Sequence, residues 1–215
     1  FARPQIRNID EVPRAARRRC RSLVATHHRS WTAKTTARMR APVTRLRPAT
    51  LDDAAAILAV QAASWRATYT GLVPERLFPD ADDPARLRFW RETLLTGRTA
   101  TRVACAADGA LVGFVSCGPR REPELAADGE IYALYVRPEA QGAGVGRRLF
   151  RAAAHVLRGR GSRDLGLWVL APNAPARAFY AHLGGVARRR RAGEMDGVRL
   201  AEIAYIWAPI ARACG

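Results

Sequence analysis

The chain has 215 residues, 48% of them hydrophobic, enough apolar material for one domain with a real core. No apolar run in it approaches the roughly 20 residues of a membrane span. The formal net charge is +17, yet residues 1–38 carry ten basic groups against only Asp10 and Glu11, and Lys34 is the one lysine beside 35 arginines. That pattern reads as a compositional bias rather than a nucleic-acid surface, so neither nucleic acid nor membrane is expected as a partner, while a basic domain attracts a polyanionic small molecule.

The first residue is Phe1, and residues 1–38 lack both hydrophobic periodicity and the apolar core of a secretory signal. Three readings fit this arginine-rich stretch: a disordered arm, an organellar transit peptide, or translated sequence upstream of a start at Met39. The last is the expectation, with residues 39–215 as the folded domain and proteolysis trimming the chain to near Met39. Cys20, Cys105, Cys117 and Cys214 show no metal-ligand spacing and are expected to be reduced thiols of a cytoplasmic protein that binds no metal.

Val43 to Arg47 reads as a first strand that Pro48 stops. Thr50 with Asp53 makes a capping box for a helix carrying Ile57, Leu58, Gln61 and Trp65 on one face. Tyr69, Gly71 and Pro74 turn the chain into a short second helical segment. Asp83-Pro84 opens a further helix, with Leu87, Trp90, Leu94 and Leu95 as its apolar stripe and Gly97 at its end. Thr101 to Ala106 and Leu111 to Cys117 are two strands, and Asp108-Gly109 between them is a hairpin signal.

After an acidic loop around Glu122, Glu124 and Asp128 comes the stretch on which the functional reading turns, residues 129–150. Ile131 to Val136 has strand composition and ends before Pro138. From Val145 the positions Val145, Leu149, Phe150, Ala153 and Val156 recur at helical spacing. Gly142, Gly144 and Gly146 lie where that helix begins, and such a turn offers free N–H groups at the positive end of a helix dipole, a site for phosphate. Arg147 and Arg148 follow where a P-loop needs Lys and Ser/Thr. A dinucleotide fingerprint lacks its third glycine at Arg147 and its acidic residue near Leu170. A merely structural strand-to-helix turn fits the same glycines.

The helix ends at Gly159-Arg160-Gly161, and Leu165 to Leu170 is the near-continuous apolar run of a buried strand parallel to the central one. Asn173 is a helix N-cap, Pro175 lies in the first turn, and Ala176, Phe179 and Leu183 form a buried face before Gly184. Val186 to Arg191 and Leu200 to Trp207 form a terminal hairpin. Arg188 to Arg191 within it read as solvated strand-face residues, or as contacts for an anionic group of a substrate or other ligand.

Gln141-x-x-Gly144-x-Gly146 after a strand, followed one strand later by Asn173, Ala176, Phe179-Tyr180 and Gly184, resembles the paired signature of the GCN5-related N-acetyltransferase family over about residues 43–208. The resemblance implies an α/β fold with a mixed, mostly antiparallel sheet of six or seven strands, about four flanking helices, and a V-shaped splay between the fourth and fifth strands. It further implies acetyl-CoA as co-substrate and transfer of the acetyl group to a primary amine by direct attack in a ternary complex. A non-catalytic acyl-CoA-binding regulatory domain is the alternative.

By the same resemblance, backbone groups of Gly142, Ala143, Gly144, Val145, Gly146 and Arg147 hold the pyrophosphate. Gln141 belongs to that loop, Leu134, Tyr135 and Val136 pair with the pantetheine arm, and Asn173 touches it. Tyr180 is the general-acid candidate, because a phenol of pKa about 10 can protonate a thiolate whose acid has pKa about 8.5; its other reading is a ring packed in the core. Glu130 is the general-base candidate, or a solvated strand-start residue. Some family members carry a glutamate on the strand before the Asn motif, where this chain has Trp168. His182 is expected at the surface. Trp65 and Tyr69, with Trp90, are either core aromatics or contacts to the acceptor, an amine of an unidentified small molecule or peptide. The oligomeric expectation is a monomer or homodimer.

Overall fold

The structure, a computed structural model, describes residues 43–215. The expectations for residues 1–38 and for Met39 lie outside the described residues. The elements are β1 (Val43–Pro48), α1 (Ala54–Tyr69), α2 (Pro84–Leu95), β2 (Ala100–Ala106), β3 (Leu111–Pro119), β4 (Gly129–Val136), α3 (Val145–Gly159), β5 (Leu165–Leu170), α4 (Ala174–His182), β6 (Val186–Met195) and β7 (Val198–Trp207). The strands form one seven-stranded sheet in the order β1-β2-β3-β4-β5-β7-β6. Neighbours are antiparallel except β4 and β5, because α3 crosses between those two.

Local chemistry places the helix ends. Asp53 accepts a hydrogen bond from the Thr50 backbone N–H and pairs with Arg47, so the capping box forms one turn ahead of α1. Asp83 caps α2 through the Ala85 N–H, with Pro84 in the first turn. The short segment after Pro74 is a single turn over Glu75–Leu77.

Alternation along β2 and β3 sends side chains to two cores. Val103, Cys105 and Phe114 pack under α1 and α2 against Ile57, Leu58 and Trp90. Ala104, Val115 and Cys117 pack under α3 against Leu149, Phe150, Ala153 and Leu157. Each such large apolar side chain, once buried, contributes about 1.5–3 kcal/mol. The expected stripe of α2 is narrower than its spacing suggests: only Trp90 is buried, and Leu95 is 68% exposed. Leu87 and Leu94 pack half-buried beside Trp90 on the core under α1. On α3 the buried position near the end is Leu157, with Val156 half-buried beside it.

The parallel contact between β4 and β5 is confined to two residue pairs, Gly129 with Leu165 and Glu130 with Gly166. Beyond them the strands part. In β4, Tyr132 is an extra residue against β3, since Ser116 faces Ala133 while Cys117 faces Ile131. Such a bulge bends its strand, and this one sits where the divergence begins. The wedge-shaped gap leaves the facing backbone edges of β4 and β5 without partners.

Candidate active site

A cleft of about 1450 Å³ occupies the gap and opens between α1 and α2 on one side and the α3 loop and α4 on the other. Its floor is the free edge of β4. The Arg137 N–H donates to the Val112 carbonyl on β3, whereas the Val136 carbonyl accepts from the Gln141 side chain at 3.0 Å on the opposite side. By the two-residue alternation of a strand, the Leu134 N–H and carbonyl therefore face the gap. Leu134, Tyr135 and Val136 all line it.

At one end of the cleft the glycine loop meets the start of α3. Gly142 and Gly144 have φ of +71° and +78°, backbone angles that glycine adopts without cost. Among the described residues, none of the N–H groups from Gly142 through Arg147 donates a hydrogen bond. These are the unsatisfied donors of a loop and a first helical turn, aimed where the dipole favours an anion. Gln141, Gly142, Gly144, Gly146 and Arg147 line the cleft, while Val145 turns into the core and Ala143 is exposed outside the lining. Gly146 is held close to Phe179 of α4: a Cβ there would lie 3.3 Å from the ring.

Tyr180 is a core ring at a position that also lines the cleft. Its ring packs against Phe150, Tyr205 and Trp207, and the residue is 8% exposed. It is also part of the cleft wall, and its hydroxyl has no hydrogen-bond partner among the described residues. Burial, with smaller contributions from Tyr135 and Tyr69, raises its pKa well above the usual phenol value and keeps it protonated. It is the one fully buried side chain of α4. Ala176, Phe179 and Leu183, expected as the buried face, are half-buried because the cleft passes alongside them.

Asn173 caps α4 by accepting the Ala176 N–H at 3.0 Å, and its amide donates to the Tyr69 hydroxyl at 3.0 Å. Trp65 donates from Nε1 to the Tyr135 hydroxyl at 2.8 Å, and Trp90 donates to Gln61. Trp65, Tyr69 and Trp90 are thus buried, hydrogen-bonded core aromatics whose edges also line the cleft.

Glu130 lies at the closed end of the gap, 2% exposed. It is not a solvated strand-start residue. One carboxylate oxygen accepts from the Arg121 side chain at 2.6 and 3.2 Å, and the other from the Arg121 backbone N–H at 2.9 Å. Arg121 also stacks over Tyr132 at 4.3 Å, and burial pushes the Tyr132 phenol up to about 12. Nothing in the sequence separates Arg121 from its neighbour Arg120; the pairing is created by the β3–β4 turn.

Arg191 also departs from its expectation. Arg188 to Arg190 are exposed, but Arg191 is buried, paired with Glu122 and Glu202 and stacked 3.8 Å over the ring of Trp168. It is a structural cation inside the terminal hairpin, opposite Glu202 on the paired strand and within reach of Glu122 from the β3–β4 loop. His182 is exposed, as expected. Cys105 and Cys117 are buried free thiols, and burial pushes Cys117 up to about 11. Among the described residues no group of three His, Cys, Asp or Glu side chains is arranged to hold a metal ion, and no helix is long and apolar enough to cross a membrane.

The acetyltransferase (GNAT) family model matches residues 63–184, a span that runs from the second half of α1 through α4 and includes the entire cleft floor. An uncharacterized N-acetyltransferase of Bacillus subtilis, YuaI, is 32% identical over 162 residues, covering 75% of this chain and 91% of that protein. An aminoglycoside N(6′)-acetyltransferase of Stenotrophomonas maltophilia is 38% identical over 108 residues, 48% of this chain and 66% of that protein. Among solved structures, the paiA N-acetyltransferase of Thermoplasma acidophilum in complex with coenzyme A superposes with a TM-score of 0.55 at 20% identity, covering 74% of this chain and 96% of that one. The splayed β4–β5 pair, the free N–H groups of the glycine loop and these matches agree: the chain belongs to the GCN5-related N-acetyltransferase family.

Proposed function

We propose that this protein transfers an acetyl group from acetyl-CoA to a primary amine by direct attack within a ternary complex. The observation that carries the reading is the β4–β5 gap, where unpaired backbone, free N–H donors and Tyr180 border one cleft. The donor supplies an activated acyl group as a thioester. The residues present suit it: the N–H groups of Gly142 through Arg147 bind a pyrophosphate, and the exposed edge of β4 pairs with an amide-bearing arm as a neighbouring strand would.

Each chemical step has a residue. The Leu134 N–H donates to the acetyl oxygen as negative charge develops there. The amine nitrogen forms its bond to the acetyl carbon, and the bond from that carbon to sulfur breaks. Tyr180 donates its hydroxyl hydrogen to the departing sulfur and recovers a proton from the one the amine releases. Before the attack, Glu130 takes the other proton, the one that an acceptor arriving as its ammonium form must shed to become the attacking amine, directly or through one water, on a lone pair that Arg121 leaves open, and later releases it to solvent. Asn173 positions α4, and with it Tyr180, against α1.

The cleft also favours a class of acceptor. Its lining carboxylates are Glu130 and Glu202 alone, tied to Arg121 and Arg191, and Arg86 is paired with Asp83, while Arg98 and Arg120 stand around the same mouth without a carboxylate partner among the described residues. Arg98 and Arg120 flank the paired ends of β2 and β3, where Ala100 meets Cys117. This balance favours an amine that also bears an acidic or neutral polar group over a polycation.

The test is acetyl-CoA-dependent thiol release with a panel of amines, alongside calorimetric titration of acetyl-CoA. Binding with acceptor-dependent release, faster for amino-acid-like amines than for polyamines or aminoglycosides, is expected. Binding without release for any amine supports the regulatory alternative, and no binding rejects both.

A further inference from the structure

The ion pair at the closed end of the gap has one unused side. Glu130 is 2% exposed while the Arg121 side chain is 45% exposed, and both line the cleft. Nε and Nη2 of Arg121 donate to Oε1 of Glu130, and the Arg121 backbone N–H donates to Oε2. Nη1 of Arg121 has no hydrogen-bond partner among the described residues. The Tyr132 ring, 4.3 Å from the guanidinium, holds its plane.

The charges around this pair favour one kind of ligand. Arg98 and Arg120 border the cleft on neighbouring strand ends, just beyond the pairing of Ala100 with Cys117, and neither has a carboxylate partner among the described residues. The other lining carboxylate, Glu202, pairs with Arg191, and Asp128 in the β3–β4 loop pairs with Arg163. A simple cation approaching Glu130 therefore meets two unneutralised guanidinium groups, and a simple anion approaching Arg121 meets a buried carboxylate. A zwitterion satisfies both members of the pair. Because Arg121 and Glu130 are themselves in hydrogen-bond contact, the two ligand charges must lie equally close together, as they do on one carbon of an α-amino acid.

We infer that the acceptor is a free α-amino acid bound as its zwitterion across the Arg121–Glu130 pair, and that Arg121 is the residue that selects its carboxylate. The inference rests on the acetyl-transfer reading of the cleft and names the acceptor class for it. Nη1 of Arg121 donates to the acceptor carboxylate, and Glu130 receives the ammonium group. The nitrogen that attacks is thus held beside its base from the moment of binding. An amine whose carboxylate is missing, blocked as an amide or placed at the far end of the molecule leaves one partner unmatched. Phe89 of α2 lines the cleft at 53% exposure and gives the acceptor side chain an apolar surface to cover, which makes phenylalanine the suitable probe.

The experiment measures acetyl-CoA-dependent thiol release by residues 1–215 with phenylalanine, phenylalaninamide, phenethylamine and 4-(2-aminoethyl)benzoate, in the parent and in Arg121→Gln. In the parent, kcat/KM for phenylalanine should exceed that for each of the other three by about tenfold or more, as one charge-assisted hydrogen bond implies. Arg121→Gln should slow every amine through Glu130 and bring the preference for phenylalanine over phenethylamine close to unity. Comparing this preference between parent and variant cancels the amines' own differences in reactivity. Where Arg121→Gln does not fold, Arg121→Lys, which keeps the charge beside Glu130 but not the fork, should still reduce the preference severalfold. No preference in the parent, a benzoate as fast as phenylalanine, or a preference unchanged by the substitution overturns the inference and leaves acetyl transfer standing. Release from none of the four with release from other amines also overturns the inference alone, whereas release from no amine removes both readings together.

Discussion

The Asn173 amide donates a hydrogen bond of 3.0 Å to the Tyr69 hydroxyl, joining the first turn of α4 to the last residue of α1 across the mouth of the β4–β5 gap. The same side chain caps α4, so one residue sets the helix start and its distance from the opposite wall. Asn173→Ala removes a cap and strands a buried hydroxyl, and should cost about 2 kcal/mol. Tyr69→Phe, which loses only the bond, should cost about 1 kcal/mol. Urea unfolding midpoints of the two variants check the order.

Tyr180→Phe should lower kcat by about 100-fold with little change in the KM for acetyl-CoA. The hydroxyl has no protein partner, so the unfolding midpoint should stay near that of the parent. Steady-state kinetics beside thermal unfolding separate this from a packing role, which would move stability first.

Glu130→Gln should reduce turnover and change its pH dependence. With no acceptor for the amine proton, the rate should follow the fraction of unprotonated amine and climb about tenfold per pH unit toward the amine pKa near 10. A profile parallel to the parent's would take Glu130 out of the reaction. Arg121→Ala, which leaves the buried carboxylate without its cation, should be the less stable of the two.

Gly144→Val places a β-branched residue at φ near +78°. No atom lies within 4 Å of an added Cβ, so the cost is backbone strain, roughly 1–2 kcal/mol. As the loop relaxes, its N–H groups lose their common aim, and acetyl-CoA affinity should fall at least about tenfold by calorimetry.

Burial raises the pKa of Tyr135, Tyr180 and Tyr69, and brings Tyr132 to about 12. The folded state thus holds these protons at pH values where an unfolded chain, with tyrosines near pKa 10, releases them. Their contribution to stability is fully present below about pH 10 and is lost as the pH rises toward the folded values. Urea midpoints should fall steeply above about pH 10, with tyrosinate absorbance rising together with unfolding rather than before it. Tyr135→Phe should blunt the fall.

The parts legible in the residues were those whose cause is local. The capping box at Thr50 and Asp53, the Asp108-Gly109 turn, the strand into Gly142-Gly144 and the Asn173 cap each depend on backbone preferences and hydrogen bonds spanning a few positions. The errors were of another kind. The spacing of Leu87, Trp90, Leu94 and Leu95 marks an apolar helix face but carries no record of how much of that face is covered, and Leu95 stays exposed. The run Arg188 to Arg191 looks uniform, yet only its last member is buried, between Glu202 of the paired strand and Glu122 of the β3–β4 loop.

By itself, then, the sequence determined the order of strands and helices, the glycine loop with its free N–H groups, and the two motifs that carry the family. Those follow from propensity and periodicity over stretches of ten or so residues. Only the tertiary structure decided that β4 and β5 touch at two pairs and then part, that Glu130 is clasped by Arg121, and that the Tyr180 ring packs in the core at a position that also lines the cleft. These residues come together because packed layers bring remote segments to the same place, and periodicity tells which side of an element is buried without telling what lies against it.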